Sequence, residues 1–271
     1  MDFRRHVYSP IQNQALWLAA NLYGHESFDD TEYALTELGG AQHMAGNPFG
    51  IAPVLKLIRN YTAGFRQQFS AQPALAITLA GPGTPVGLPA GTPAALAATN
   101  SGGAIIVSTD DARAYGCLVP TPLPEGTQWL WFELDGYPPA PAYLLPGEAD
   151  QLLTQATNEA ATLIDDGRRY LGVQVTSELS NPRLTVGTLT DYYEAPGLPD
   201  SIAPRAAKLI SRADRVSAIV ETVTSTIGDH VFDPQLLGLG RHIRQARMSA
   251  VTYATVEWAR DCTQRAHDAS R

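Results

Sequence analysis

Of the 20 prolines in this chain, 12 fall between residues 70 and 150. Proline has no backbone N–H and a locked φ, so a segment this rich in it holds only short helices and short strands. The flanking residues 1–69 and 151–271 carry helix-period apolar patterns instead. Three regions follow: an N-terminal helical region 1–69, a Pro/Gly-rich β region 70–150 and a C-terminal helical region 151–271. They make one compact unit or two docked lobes. This distribution predicts an α+β fold, with N- and C-terminal helices packed around a small, mostly antiparallel central sheet.

Local signals place the elements. Ser9-Pro10 reads as an N-cap followed by a first-turn proline, and Ile11, Ala15, Leu18, Ala19 and Leu22 form the apolar stripe of a helix that Gly24 stops. A short helix is expected over 29–38, and a third from Asn47-Pro48 to about Phe69. Four strands are expected, at 74–79, 104–108, 115–119 and 128–134, with a short helix over 93–98. In the last strand Trp129, Trp131 and Glu133 point one way and Leu130, Phe132 and Leu134 the other, so cover is expected on both faces. Further helices are expected over 148–165, from Pro204 onward and from Asp233-Pro234 to about Cys262, loosened at Gly238 and Gly240. Residues 171–187 are ambiguous from sequence, with 172–176 and 184–188 as candidate strands.

The formal charge of −8 argues against a dedicated nucleic-acid binder, whose surface must neutralise phosphates. No window approaches the length of a membrane-spanning helix, and the first residues do not read as a signal peptide, so a cytoplasmic protein is expected. The two cysteines, Cys117 and Cys262, form no CxxC motif and are expected to be reduced. No metal or cofactor is expected: the six histidines make no HExxH, HxH or HxxxH pattern. The pairs Asp29-Asp30, Asp110-Asp111 and Asp165-Asp166 sit where aspartate caps helices and turns.

The charge is unevenly spread. Residues 70–150 hold one basic residue, Arg113, against seven acids, whereas 205–271 hold ten basic and seven acidic residues. Arg205, Lys208, Arg212 and Arg215 share one face of a helix, and Arg241, Arg244 and Arg247 form a second stripe. The favoured reading of both is a solvated helix face or ion pairs with the acidic middle. The competing reading is a patch for an acidic partner or an anionic ligand. The loop from Gly81 through Gly83 and Thr84 to Gly87 follows a strand, as a phosphate loop does. Pro82 and Pro85 offer no N–H, however, and no Gly-Lys-Ser/Thr ending follows, so a connector is favoured.

The stretch Leu79-Ala80-Gly81-Pro82-Gly83-Thr84-Pro85-Val86-Gly87-Leu88-Pro89, followed by Ala94-Ala95-Leu96-Ala97 and Gly103-Ala104-Ile105-Ile106-Val107, resembles the central core of a family of uncharacterised actinobacterial proteins. Thr84 stands where that core usually has an acidic residue. The resemblance implies a high-GC Gram-positive source and an arginine-containing helical C-terminal half. It carries over no activity and no functional residue.

No nucleophile elbow, Walker loop or catalytic constellation is legible. The expected function is therefore that of a non-catalytic regulatory or adaptor protein acting through protein contacts, with self-association left open. The alternative is an enzyme or binding protein for a small phosphorylated or carboxylate ligand. It would be held between Gly81, Gly83 and Thr84 and the stripe of Arg205, Lys208, Arg212 and Arg215.

Overall fold

A computed structural model describes residues 7–47, 50–67, 70–171, 182–226 and 233–269. Strands β1 (Ala41–Met44), β2 (Leu75–Leu79), β3 (Gly103–Ser108), β4 (Ala114–Leu123) and β5 (Gly126–Asp135) form one sheet in the order β1-β5-β4-β3-β2. Every pairing is antiparallel except β1 with β5. Around it lie helices α1 (Ile11–Leu22), α2 (Phe28–Gly39), α3 (Ala52–Tyr61), α4 (Pro93–Ser101), α5 (Pro146–Leu171), α6 (Pro182–Glu194), α7 (Pro204–Thr226) and α8 (Asp233–Ala269). The α+β class and the mostly antiparallel sheet match the expectation from the sequence.

The alternation of side chains along each strand divides the interior into two cores. Leu75, Ile77, Leu79, Ile105, Val107, Leu118 and Trp129 face the large core, shared with α1, α3, α5, α7 and α8. Ala76, Ala104, Ile106, Tyr115, Cys117 and Val119 face a smaller one, closed by Ala94 and Ala98 of α4 with Val86 and Leu88. Leu130, Phe132 and Leu134 pack on this second core, so β5 is covered on both faces as its sequence indicates. α8 runs unbroken through Gly238 and Gly240 and reaches Ala269. Its residues Ile243, Ala246, Ala250, Val251, Ala254 and Trp258 are all buried.

Several local expectations are corrected. The fifth strand, β1, has no apolar pattern. It is held by Gln42, which donates to the carbonyls of Leu35 and Gly40 and accepts from Trp129 Nε1 at 2.8 Å. Residues 184–188 are helical rather than extended. The Thr188 and Thr190 hydroxyls donate to the carbonyls of Leu184 and Val186, which lets threonine sit in a helix, and Tyr193 at the far end is buried. The expected strand over 172–176 lies outside the described residues. The third helix stops at Tyr61, and a short 3-10 turn, Phe65–Gln67, follows it.

The stripe of arginines on α8 is not solvated. Arg241 is exposed, but Arg244 and Arg247 are buried. Arg247 NH1 lies 2.6 Å from Asp214 Oδ1, with both side chains 1% exposed. The same guanidinium donates to Gln12 Oε1 at 2.8 Å and Ser217 Oγ at 3.0 Å, and lies 5.6 Å from the centre of the Tyr8 ring. Burial pushes the Asp214 carboxyl above its ordinary range, against the pull of Arg247. Removing one partner strands a buried charge, which costs about 3–5 kcal/mol. Asp214→Ala and Arg247→Met are each expected to lower unfolding free energy by about that amount in urea titrations, and the Asp214→Leu/Arg247→Met double variant is expected to recover most of it.

Burial pushes the Cys117 thiol up to about 12, whereas Cys262 is only half-buried and both cysteines are unbridged. A thiol-reactive disulfide reagent at pH 8 is expected to titrate Cys262 in the native protein, and Cys117 only after unfolding. Prompt labelling of both thiols in the folded state would contradict this packing.

Candidate functional site

All five strands have an end on the same side of the sheet. These are the C-terminal ends of β2 and β4 and the N-terminal ends of β1, β3 and β5. The loops there enclose an open cleft of about 1540 Å³. One wall is the loop from Ala80 to Leu88, and a second is α4 with its turn to Gly102. The overhanging β4–β5 hairpin supplies the third, and the segment from Tyr8 to Gln14 closes the cleft beside the start of α1.

The sequence explains each wall. Gly81-Pro82-Gly83-Thr84 is a reverse turn: Gly81 and Thr84 exchange both backbone hydrogen bonds, at 3.0 and 2.8 Å, and Gly83 has φ +69°. Proline followed by a left-handed glycine suits that turn. Thr78 Oγ1 then donates to the Val86 carbonyl at 2.7 Å and ties the loop back to β2. α4 begins at Pro93 with Thr92 accepting from the Ala95 N–H, and it ends at left-handed Gly102. The β3–β4 ladder reaches only Leu118, so Pro120 and Pro122 lie on an overhang of β4 paired with β5 alone. A proline there costs no bond to β3 and discourages a stray strand from pairing at the edge.

The loop's partner is α8. Arg244 donates from NH2 to the Pro82 carbonyl at 3.0 Å and to Thr84 Oγ1 at 2.9 Å. Burial lowers its pKa from the ordinary arginine value. A Cβ placed on Gly81 would overlap the guanidinium, so this glycine makes the close approach possible. Because the Gly81 and Thr84 N–H groups are spent within the turn, they are not aimed outward in the manner of a phosphate loop.

Of the residues singled out from sequence, Gly81, Gly83 and Thr84 line the cleft, and Arg205, Lys208, Arg212 and Arg215 do not. Arg205, Lys208 and Arg215 are exposed on α7. Arg212 pairs with Asp150 of α5 at 2.5 Å and donates to Thr154 Oγ1 at 2.9 Å. Among the described residues lining the cleft, Glu125 is the one charged side chain, and there is no Lys, Arg, His or Cys. Among the described residues of the whole chain, no group of three or more His, Cys, Asp or Glu could hold a metal ion. No described helix is long and apolar enough to cross a membrane.

One residue of the cleft was not legible in sequence. Gln14 is 2% exposed and its Oε1 has no hydrogen-bond partner. A buried polar group left unpaired costs about 1–3 kcal/mol. The run Gln12-Asn13-Gln14 at a helix start is the signal that was available, but helical periodicity does not reveal that all three are buried.

These features define an α+β fold with a cleft at the end of its sheet whose described lining holds one charged side chain, Glu125. The chain belongs to the Rv1486c-like protein family: the family's N-terminal domain model matches residues 12–143 and its C-terminal domain model matches residues 147–248. Neither description names an activity. No curated protein and no solved structure matches the chain.

Gly81→Ala is expected to displace Arg244 and to lose its bonds to Pro82 and Thr84. Bonds from a charged donor are worth about 1.5–3 kcal/mol each. The variant should melt at lower temperature and show faster amide exchange across 80–88. An unchanged exchange pattern would mean that Arg244 does not hold the loop.

Proposed function

We propose that this protein is a non-catalytic adaptor or regulatory protein that takes an extended, uncharged segment of a partner protein in the cleft. The observation that carries the reading is the cleft's combination of size and lack of any described cation. At about 1540 Å³ it exceeds the roughly 300–1,000 Å³ of ordinary small-molecule sites. Large and open, it leaves room for a chain segment. Half-buried Leu123 and Ala95 supply apolar surface along it, beside the buried Val86 and Leu88. The described lining has no cysteine or histidine and one carboxylate, so it offers no acid–base pair or activated nucleophile. An anionic ligand would find no described cation there, which favours the neutral segment over the anionic small molecule.

Thr99 is exposed and lines the cleft from α4, so Thr99→Trp should block it without touching either core. Random-peptide display against the immobilised chain, followed by hydrogen exchange, tests the reading. Enriched peptides are expected to be uncharged, to protect 81–88 and 120–127, and to bind Thr99→Trp at least about tenfold more weakly, a loss of roughly 1.4 kcal/mol. Peptides that protect only surfaces outside the cleft would overturn it.

A further inference from the structure

β5 is ten residues long, Gly126–Asp135, and β4 pairs with all of them. On its other side β1 covers only Gly126 to Trp129. The chain then turns away from the sheet: the Ala45 N–H donates to the Trp129 carbonyl at 2.9 Å, and the Asn47 N–H closes a turn on the Met44 carbonyl. Main-chain groups alternate sides along a strand, so those of Trp131 and Glu133 point the same way as the Trp129 carbonyl, out of the edge. Among the described residues neither has a backbone partner there. The side chains differ on the two faces of this edge. On one, Trp131 Nε1 donates to Glu133 Oε1 at 3.3 Å, and the rings of Tyr61 and Trp131 meet edge-on at 4.9 Å. On the other lie half-buried Phe132 and Leu134. Glu133 and Asp135 are exposed. Burial, and then the carboxylates of Glu133, Asp111 and Asp135, push the Tyr61 hydroxyl above its ordinary range, so these acids converge beside the edge.

We propose that the open edge of β5 from Leu130 to Asp135 takes an extended segment of a partner protein as a further strand, and that this segment alternates basic and apolar side chains. The Trp131 and Glu133 backbones supply the N–H and C=O groups for the ladder. Every second side chain of an added strand lies on the face of Glu133 and Asp135, where lysine or arginine opposite a carboxylate is favoured. The side chains between them lie beside Phe132 and Leu134, where apolar groups fit. Charge on an edge protects it from stray strands. Here the charge is negative, so it turns away acidic strands and admits a basic one. A second copy of the chain would bring Glu133 and Asp135 up to their own counterparts, and like charges across a sheet are unfavourable. The surface is separate from the cleft, which lies at the other end of β5, at Gly126 and Thr127.

The test uses the full-length ¹⁵N-labelled chain and three blocked heptapeptides at one salt concentration. The first alternates valine and arginine, the second has glutamate for arginine, and the third keeps the arginines but has proline for the two inner valines. In the free chain the Trp131 and Glu133 amides are expected to exchange fast, beside slow Phe132 and Leu134. The basic peptide should slow both at least about tenfold and bind at least about tenfold more tightly than the acidic one. The proline peptide, with the same charge, should slow neither. The Glu133→Gln/Asp135→Asn double variant keeps an acceptor for Trp131 Nε1 and is expected to bind the basic peptide at least about threefold more weakly. Glu133→Pro removes one outward N–H and, like Pro120 and Pro122, costs no bond to the paired strand, so it should keep its melting temperature and lose the peptide. If that variant melts early, the proline peptide decides the question instead. Slow exchange of both amides in the free chain overturns the proposal, because the edge is then already covered. Equal binding of the acidic and basic peptides overturns it, and so does basic-peptide binding that leaves the Trp131 and Glu133 amides fast. A concentration-dependent dimer that Glu133→Pro dissolves would give the edge to a second copy and overturn it as well.

Discussion

Arg247 joins parts of the chain that are more than 200 positions apart. Its guanidinium meets Asp214 and Ser217 on α7 and Gln12 on α1, and it lies beside the ring of Tyr8. Ser217 in turn donates to the Val7 carbonyl, and Tyr8 stacks on Tyr193 of α6 at 4.6 Å. One desolvated charge thus holds the N-terminal segment against the two C-terminal helices. The cost of burying it is offset only while every partner stays in place, which makes this the point on which the arrangement depends.

The cleft inherits its shape from that anchor. One helical turn before Arg247, Arg244 reaches under Gly81 and pins the loop that forms one wall. The segment fixed by Arg247 forms the opposite wall, from Tyr8 to Gln14. α8 therefore sets the separation of two walls that come from the N-terminal part of the chain. The family's two domain models, split between residues 143 and 147, meet physically at this helix. The described lining of the cleft holds no cation because the arginines that shape it are spent on protein oxygens behind its surface.

Much of the local structure was legible because single residues dictate it. Pro10 and Pro93 mark helix starts, and the run from Gly81 to Gly87 reads as a connector, which the structure folds into a reverse turn at Gly81–Thr84. The period-two pattern of Trp129 to Leu134 placed β5 and both of its faces. β1 was not legible, because Ala-Gln-His-Met has no strand pattern and depends on Gln42 bonding to Trp129 from 87 positions away. The segment 184–188 was ambiguous because its threonines and valine favour strands locally, while the structure carries it in the helix Pro182–Glu194, which buries Tyr193.

Sequence alone determined the class of the fold: period-two patterns between turn residues placed strands in the middle, and apolar periodicity made both ends helical; the ten-residue β4 and β5 run longer than the proline density suggests. It determined equally that the charge is segregated, with cations gathered near the C-terminus. Only the tertiary structure decided what those cations do. Arg244 and Arg247 are three positions apart, as are the exposed Arg205 and Lys208, and helical period alone cannot separate the two pairs. The difference is what lies opposite: a carboxylate, an amide and a turn carbonyl that reach α8 only when the whole chain has folded.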